Sequence, residues 1–336
     1  MRIKRVGIVH NQPASEGHEN WQASVDVLAQ VEAIEQALET LGYSAVRIPF
    51  ARDLHGFTER FKEQMVDMVF NLCESVDEDP HLLWHAAAVF ELLGVSFTGS
   101  PSASLMLTTD KLVSKRLLRG RQIRTPDYIV CNGLQEFSTT LLTFPVIVKP
   151  RFEDASIGID QDSVFQDDQE LREGLKSFLD RFGSLLIEEY IPGREFNITL
   201  LGYPAANVLP ISEIDFSDFP ENLYPIVGYR AKWDKASFEH HHSPRRFPQD
   251  LARLLSNKMK RVALDCFRLF MVRDYGRVDL RVDDRGRIYV LEVNANPCLS
   301  PDAGFAASAQ EAGLDYNEMI GMIVDFALQR EESSTL

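Results

Sequence analysis

The feature that most constrains this chain is an alternation of short apolar runs with helix-period segments at its start, the pattern of a parallel sheet with crossover helices. Ile3 to Val9 reads as a strand, and Gln22 to Leu41 as an amphipathic helix with Val25, Leu28, Val31, Ile34, Leu38 and Leu41 on one side and Gly42 as its stop. Ala45 to Ile48, Met68 to Asn71 and Val95 to Thr98 read as further short strands, separated by helical patterns at Phe57 to Gln64 and Leu82 to Leu93. A small parallel α/β domain ending near Gly99 is expected.

Beyond it the order of elements changes. Asp110 to Arg119 reads as a helix, Pro145 to Lys149 as a strand, Gln169 to Phe182 as a helix and Leu185 to Glu189 as a strand. Glu195 to Leu201 and Asn207 to Ile214 follow as strands, then an irregular polar segment from Asp215 to Pro248, a length usually reserved for function or disorder. Gln249 to Phe270 is a helix. Gly276 to Val282 and Arg287 to Asn294 form a hairpin across Asp283-Asp284-Arg285-Gly286, and Tyr316 to Gln329 is a closing helix. No repeat or low-complexity segment is evident, and the tail from Glu331 is expected to fray.

Composition removes several classes of function. A formal net charge of -15 over 336 residues opposes phosphate backbones and anionic membranes, so neither nucleic acid nor membrane is an expected partner. The run Val6-Gly7-Ile8-Val9 is too short for a signal-peptide core, and no stretch approaches the roughly 20 apolar residues that span a bilayer. A cytoplasmic protein is expected. Cys73, Cys131, Cys266 and Cys298 are scattered without a CxxC pair, which suggests reduced thiols and no zinc knuckle.

The strongest chemical signal lies in the last hairpin. Arg277 and Asp279 are two apart on one strand, Glu292 and Asn294 two apart on the other, so each pair shares a face. A guanidinium, two carboxylates and an amide brought together can hold hard cations on a nucleotide's phosphates and steady charge that develops in a transition state. Taken alone, alternating charge on an exposed hairpin face is ordinary. No GxxxxGK[ST] and no GxGxxG occurs, which removes P-loop and dinucleotide-fingerprint readings.

The same residues stand in a larger order. Thr109-Asp110-Lys111, Val146-Ile147-Val148-Lys149-Pro150, Ile187-Glu188-Glu189-Tyr190-Ile191, Gly193-Arg194-Glu195-Phe196, Ala231-Lys232, Arg277-Val278-Asp279 and Glu292-Val293-Asn294 together resemble the successive motifs of the D-alanine:D-alanine ligase family of the ATP-grasp superfamily. Leu93-Gly94-Val95-Ser96-Phe97-Thr98-Gly99-Ser100 is similar to the family's segment before its lysine helix. The resemblance covers nearly the whole chain and implies an α/β ATP-grasp fold, with an N-terminal parallel-sheet domain at 1–99, one subdomain at 100–187 and a second, carrying the metal site, at 188–330.

It also implies roles. Lys111 and Lys149 would contact ATP and its phosphates, Glu188 and Glu189 would face the adenine beside the hinge of Tyr190 and Ile191, and Glu195 would hydrogen-bond the ribose. Leu291 would join these nucleotide contacts. Lys232 would reach the transferred phosphate from a flexible segment, Arg277 would stabilise the acyl-transfer transition state, and Asp279, Glu292 and Asn294 would hold two Mg2+ ions, with Mn2+ as an alternative metal. Arg151 to Gly158 stands where the family has a phosphate-covering loop, with Ser156 and Gly158 fitted to that role through backbone amides. The implied reaction joins a small-molecule carboxylate to an amine through an acylphosphate, and a homodimer is expected.

Departures from the family bear on substrate. Where the dipeptide ligases carry a serine, a tyrosine and a carboxylate linking loop to lid, this chain has Ala155 and Trp233 and keeps only Glu195. Ala303, preceded by Asp302, stands where a serine would hold the acceptor's carboxylate, which points towards a cationic acceptor. The glutamate for the first substrate's amine has Glu16, Glu19 or Asp26 as counterparts, and Asn71-Leu72-Cys73-Glu74 with Asp77-Glu78-Asp79 makes an acidic pocket turn or a solvated charge run. His81 and His85 have metal-pair spacing without a third ligand, His240-His241-His242 reads as lid, and Cys298 as pocket lining. A small-molecule kinase and a non-catalytic ATP-binding regulator are the other readings of the same clamp.

Overall fold

The computed structural model describes residues 5–13, 21–134 and 137–334. Its first unit runs β1 (Arg5–Asn11), α1 (Trp21–Thr40), β2 (Ser44–Phe50), α2 (Leu54–Glu63), β3 (Met68–Leu72), α3 (Trp84–Leu93) and β4 (Ser96–Phe97). The four strands pair in parallel in the order β2-β1-β3-β4. The first strand, expected from Ile3, begins among the described residues at Arg5. The buried stripe of α1 is Val27, Val31, Ile34, Ala37 and Leu38, and Leu41 is exposed. Its stop is as expected: Gly42 has φ +84, and Tyr43 N–H returns to Leu38 O at 2.9 Å, the left-handed helix ending that glycine favours.

Next come α4 (Ser102–Thr109), α5 (Lys111–Gly120), β5 (Tyr128–Cys131), β6 (Val146–Pro150), β7 (Val164–Phe165), α6 (Asp168–Phe182) and β8 (Leu185–Glu189). The sheet β5-β8-β6-β7 is antiparallel and packs Val146, Val148, Leu185 and Ile187 against Leu171 and Leu175 of α6. Helices α4 and α5 cross to the following sheet, where Leu105 and Leu118 enter its core.

The last unit contains β9 (Arg194–Gly202), β10 (Asn207–Val208), β11 (Ser212–Ile214), α7 (Tyr229–Trp233), α8 (Phe238–His241), β12 (Arg245–Arg246), α9 (Arg253–Leu269), β13 (Asp274–Val282), β14 (Ile288–Asn294), α10 (Gly304–Glu311) and α11 (Tyr316–Ser334). Its sheet runs β12-β11-β9-β13-β14, with β10 also on β9. Met259, Ala263 and Cys266 of α9 cover one face. The strand expected over Asn207 to Ile214 is broken in two, with Pro210, which has no N–H to give the ladder, lying in the gap. The stretch from Asp215 to Pro248, expected to be irregular, holds two short helices and a strand, anchored by buried Ile226 and Ala231.

Two junctions fix how the units meet. At Gly193 (φ +129), between β8 and β9, a β-carbon would lie 2.1 Å from Val282 O, so only glycine makes this crossing. Fully buried Asp274 accepts Gly99 N–H at 2.8 Å and pairs with Arg330, which also donates to Phe97 O at 2.7 Å. That clasp joins β4, β13 and α11. The N-terminal sheet and the closing helix share a core in which Ile8, Phe70, Ile320 and Val324 are fully buried. Among the described residues no helix is long and apolar enough to cross a membrane.

Candidate active site

The hairpin β13–β14 places Arg277 opposite Asn294 and Asp279 opposite Glu292. The pleat sends Val278, Leu280 and Val282 into the core with Val290 and Val293. Register shifts between Asp279 and Leu280, and this bulge leaves Leu291 unpaired and lining the cavity beside Glu292. Arg277 grips Asp279 through Nε and Nη2, both at 2.8 Å. Asn294 Nδ2 donates to Asp279 Oδ2 at 3.0 Å and to Glu292 Oε1 at 3.2 Å, and Asn197 Nδ2 on β9 donates to Asp279 Oδ1 at 2.7 Å. Burial would raise the Glu292 carboxyl, but Lys111, Lys232 and Arg277 outweigh it and hold it at about 2. Two carboxylates with an amide oxygen form a donor set that fits a hard divalent cation.

Opposite stands the sheet containing β6 and β8. Lys149 Nζ lies 3.1 Å from Glu188 Oε2, and Lys115 Nζ, on α5, lies 3.1 Å from Glu188 Oε1. Glu188 is therefore clamped between two ammonium groups. Glu189 accepts Thr143 N–H at 2.7 Å, and Tyr190 meets Tyr224 edge-on at 5.2 Å. Glu195 pairs with Arg281 at 2.8 Å; the same guanidinium donates to Ile191 O at 3.0 Å and to Pro225 O. Arg281 thus ties the hinge to the segment that covers it.

That cover is the 151–158 loop and the lid around α7. Arg151 is held in two-point contact by Asp110, at 2.8 and 2.6 Å, which also caps α5. Lys111 donates to Glu153 O and lies 3.6 Å from Asp154. Ala155 and Ser156 both have positive φ, +54 and +62, at the centre of a tight turn closed by Ile157 N–H on Asp154 O at 3.0 Å. Ser156 Oγ donates to Val227 O at 2.7 Å, and Trp233 Nε1 donates to Ala155 O at 2.9 Å. Loop and lid are thus linked through an indole and a carbonyl. Glu195, expected from the sequence to belong to such a link, sits on the hinge wall instead. Lys232 on α7 faces Glu292, Asp279 and Asp154; burial, aided by Arg277, lowers its pKa.

The far end of the cavity is acidic. Gln30 Nε2 bridges Glu74 at 2.9 Å and Asp26 at 3.4 Å, and Cys298 Sγ donates to Asp26 at 3.3 Å. Burial, set against the Gln30 bond and assisted by Asp26, lifts Glu74 to about 7. Burial pushes the Cys298 thiol up, which makes it pocket lining and a poor nucleophile. Asp302 and Ala303 precede α10, where Arg245 packs over Gly304. Glu16 and Glu19 lie outside the described residues.

Asp77 and Asp79 turn away to Arg52, at 3.5 and 3.6 Å. His81 lies against Phe152 with ring centroids 4.2 Å apart and planes tilted by 40°, while His85 contacts Leu82 O at 3.0 Å and stacks on Trp84. His240 on the lid contacts Ala231 O at 3.0 Å.

Of the residues assigned from the sequence to nucleotide, metal or catalysis, all but Gly158 line one cavity of about 570 Å3; Gly158, with φ +72, packs against Phe182 and Pro150 instead. The sequence reading missed Asn197, Arg281, Lys115, Asp154 and Arg245. Asn197 and Arg281 had a signal, since each is two residues along a strand from a residue already singled out, and Lys115 is one helical turn from Lys111. Asp154 and Arg245 stand in loop or short edge strand, where no period announces them.

Comparison with known proteins agrees with this architecture. A family model, the D-ala D-ala ligase C-terminus, matches residues 126–325. The chain is 32% identical over 302 residues to a D-alanine–D-alanine ligase of Thermotoga maritima, covering 89% of this chain and 92% of that one. It is also 32% identical over 305 residues to the uncharacterized protein y4sG of Sinorhizobium fredii, covering 89% and 87%. The crystal structure of D-alanine–D-alanine ligase from Bacillus anthracis complexed with ATP superposes with a TM-score of 0.77 at 23% identity, covering 98% of this chain and 99% of that one, a likeness of fold. A parallel-sheet domain followed by two antiparallel sheets closing on a carboxylate-lined cavity defines an ATP-grasp protein. Within that class, the chain belongs to the D-alanine–D-alanine ligase family.

Proposed function

We propose that this protein is a magnesium-dependent ligase that uses ATP to join a carboxylate to an amine. The observation that carries the proposal is the convergence of Arg277, Asp279, Glu292 and Asn294 with Lys111, Lys149 and Lys232 around one cavity. Asp279, Glu292 and Asn294 would hold Mg2+, two ions in our reading, which when bound neutralises triphosphate charge. Lys111 and Lys149 bind the phosphates, Tyr190 and Ile191 flank the base with Glu189, Leu291 packs against it, and Glu195 takes the ribose. Lys232 and Ser156, on the two covering segments, close over the γ-phosphate.

The substrate carboxylate oxygen attacks the γ-phosphorus, forming an O–P bond as the bond to the ADP oxygen breaks. The amine nitrogen then attacks the acyl carbon, inorganic phosphate leaves with the C–O bond electrons, and the nitrogen loses a proton. Arg277 stands to stabilise the oxyanion formed in that attack. The contacts between lid and loop keep water from the acylphosphate.

The substrate pair differs from two D-alanines in this reading. Ala303 offers no hydroxyl to an acceptor carboxylate, and Asp26, Glu74 and Asp302 line that end, which favours a cationic amine; Arg245 balances part of the charge. The enzyme would act in the cytoplasm, as a homodimer, on small molecules.

The test is ADP and phosphate release with Mg-ATP across D- and L-amino acids and amines, with mass analysis of products. Release that needs two substrates and yields an amide supports the ligase. A phosphate ester without amide would replace it with the kinase reading, and tight ATP binding without turnover on any pair with a regulatory one.

A further inference from the structure

We infer that Lys115 is a positioning residue for nucleotide binding, because by sharing Glu188 it leaves Lys149 with net positive charge to offer the phosphates. The inference rests on the proposed role of Lys149. Lys115 is 1% exposed, on the buried side of α5. Its Nζ lies 3.1 Å from Glu188 Oε1, 2.9 Å from Thr125 Oγ1 and 3.5 Å from Leu291 O. Glu188, also 1% exposed, turns its other oxygen to Lys149 at 3.1 Å. Lys149 is the most exposed of the three, its side chain 13% exposed, and lines the cavity together with Glu188.

The charge arithmetic decides what this arrangement does. Glu188 with Lys149 alone would be a neutral pair, and a lysine neutralised at close range has little attraction left for a phosphate. With Lys115 added, two ammonium groups share one carboxylate and the cluster carries one positive charge at the cavity wall. Burying a second ammonium is costly, and an apolar side chain of similar length would join α5 to β14 at a smaller desolvation cost. A purely mechanical tie therefore does not account for a charge at this position. Lys115 is itself drawn down to about 8 by burial, against the pull of Glu188, so its charge is held by its partners.

The experiment is calorimetric binding of Mg-ATP to the full chain and to Lys115→Met, Lys115→Gln, Lys115→Arg, Lys149→Met and the double variant Lys115→Met/Glu188→Gln. Lys115→Gln keeps a polar side chain at this position while removing the charge, and serves if the methionine variant does not fold. Lys149→Met, Lys115→Met and Lys115→Gln should each weaken ATP binding on the order of tenfold. Lys115→Arg should stay within about threefold of the parent, and Glu188→Gln in the Lys115→Met background should recover most of the loss by freeing Lys149. In steady state the Lys115 variants should raise KM for ATP and leave kcat at saturating ATP within about twofold. A role confined to structure predicts no recovery in the double variant. Parent-like binding by Lys115→Gln alongside weakened binding by Lys149→Met overturns the inference alone; parent-like binding by Lys149→Met overturns the nucleotide reading of Lys149 and the inference with it.

Discussion

Trp233 on the lid donates its indole N–H to the carbonyl oxygen of Ala155 at 2.9 Å, and this bond joins two segments that both line the cavity. Ser156 to Val227 O and Tyr229 N–H to Ile159 O, both at 2.7 Å, reinforce it with contacts that do not depend on the indole. Loop and lid therefore share one bond that a single substitution can remove without emptying the space between them.

Trp233→Phe keeps an aromatic ring and loses the donor. One hydrogen bond of this kind contributes about 1 kcal/mol, so the ratio of closed to open arrangement should fall roughly fivefold. More ADP should be released for each amide formed, because the activated intermediate is left open to water. A ratio of ADP to amide equal to the parent's would show that the bond does not guard the intermediate.

Glu292→Gln removes the carboxylate that Lys111, Lys232 and Arg277 hold ionised. Magnesium-dependent turnover should fall on the order of 10²-fold or more, with the fold intact by thermal melting. Activity unchanged in a magnesium titration would sink the assignment of this residue as a metal ligand.

Ala303→Ser introduces a hydroxyl at the residue preceding α10. A hydrogen bond to a charged group is worth about 1.5–3 kcal/mol, so kcat/KM for acceptors with a free α-carboxylate should rise roughly tenfold or more relative to cationic amines. An unchanged ranking across an acceptor panel would count against the proposed acceptor preference.

Asp110→Asn tests a pH-dependent tie. Burial alone would raise the Asp110 carboxyl, but the Arg151 pair and two amides of α5 outweigh it and lower its pKa. A carboxylate depressed in the folded state contributes its stability above the ordinary aspartate range and loses it as pH falls through the lowered value. Asn can still cap the helix, so the loss at pH 7 is chiefly that of the Arg151 pair, about 1–2 kcal/mol. Urea unfolding of both proteins should show that gap at pH 7 and its closure as pH falls below the usual aspartate range; a gap that persists there would assign the effect to packing.

The sequence was most legible where period and chemistry coincide. Arg277, Asp279, Glu292 and Asn294 could be set face to face from two-residue spacing and a recognisable turn alone, and the parallel order of the first strands from their alternation with helices. It was least legible where contacts are made by backbone or by residues far apart in the chain. The strand Tyr128–Cys131 pairs with β8 some 55 residues later and carries too few residues for a pattern; the helix Ser102–Thr109 exposes apolar Ala103 and Met106, so its faces do not contrast, and Gly304–Glu311 is covered along most of its length. The bond from Trp233 to Ala155 O uses a carbonyl that every residue has, so no residue type could announce it. The pairing of Glu188 with Lys115 depends on where α5 lands against β8, which is a matter of packing.

The bulge at Leu291 has a consequence for how such a protein can change over time. One ribbon carries valines for the core on one face and the carboxylates on the other, so a single residue inserted into or deleted from either paired strand would exchange the faces. Length variation is therefore confined to the 283–287 turn, and the hairpin can drift only by substitution. The lid hangs on turns and helices of four or five residues and meets no such restriction. Lineages sharing this architecture can alter what enters the cavity through gains and losses of whole residues in the lid, while the hairpin beneath it stays in step.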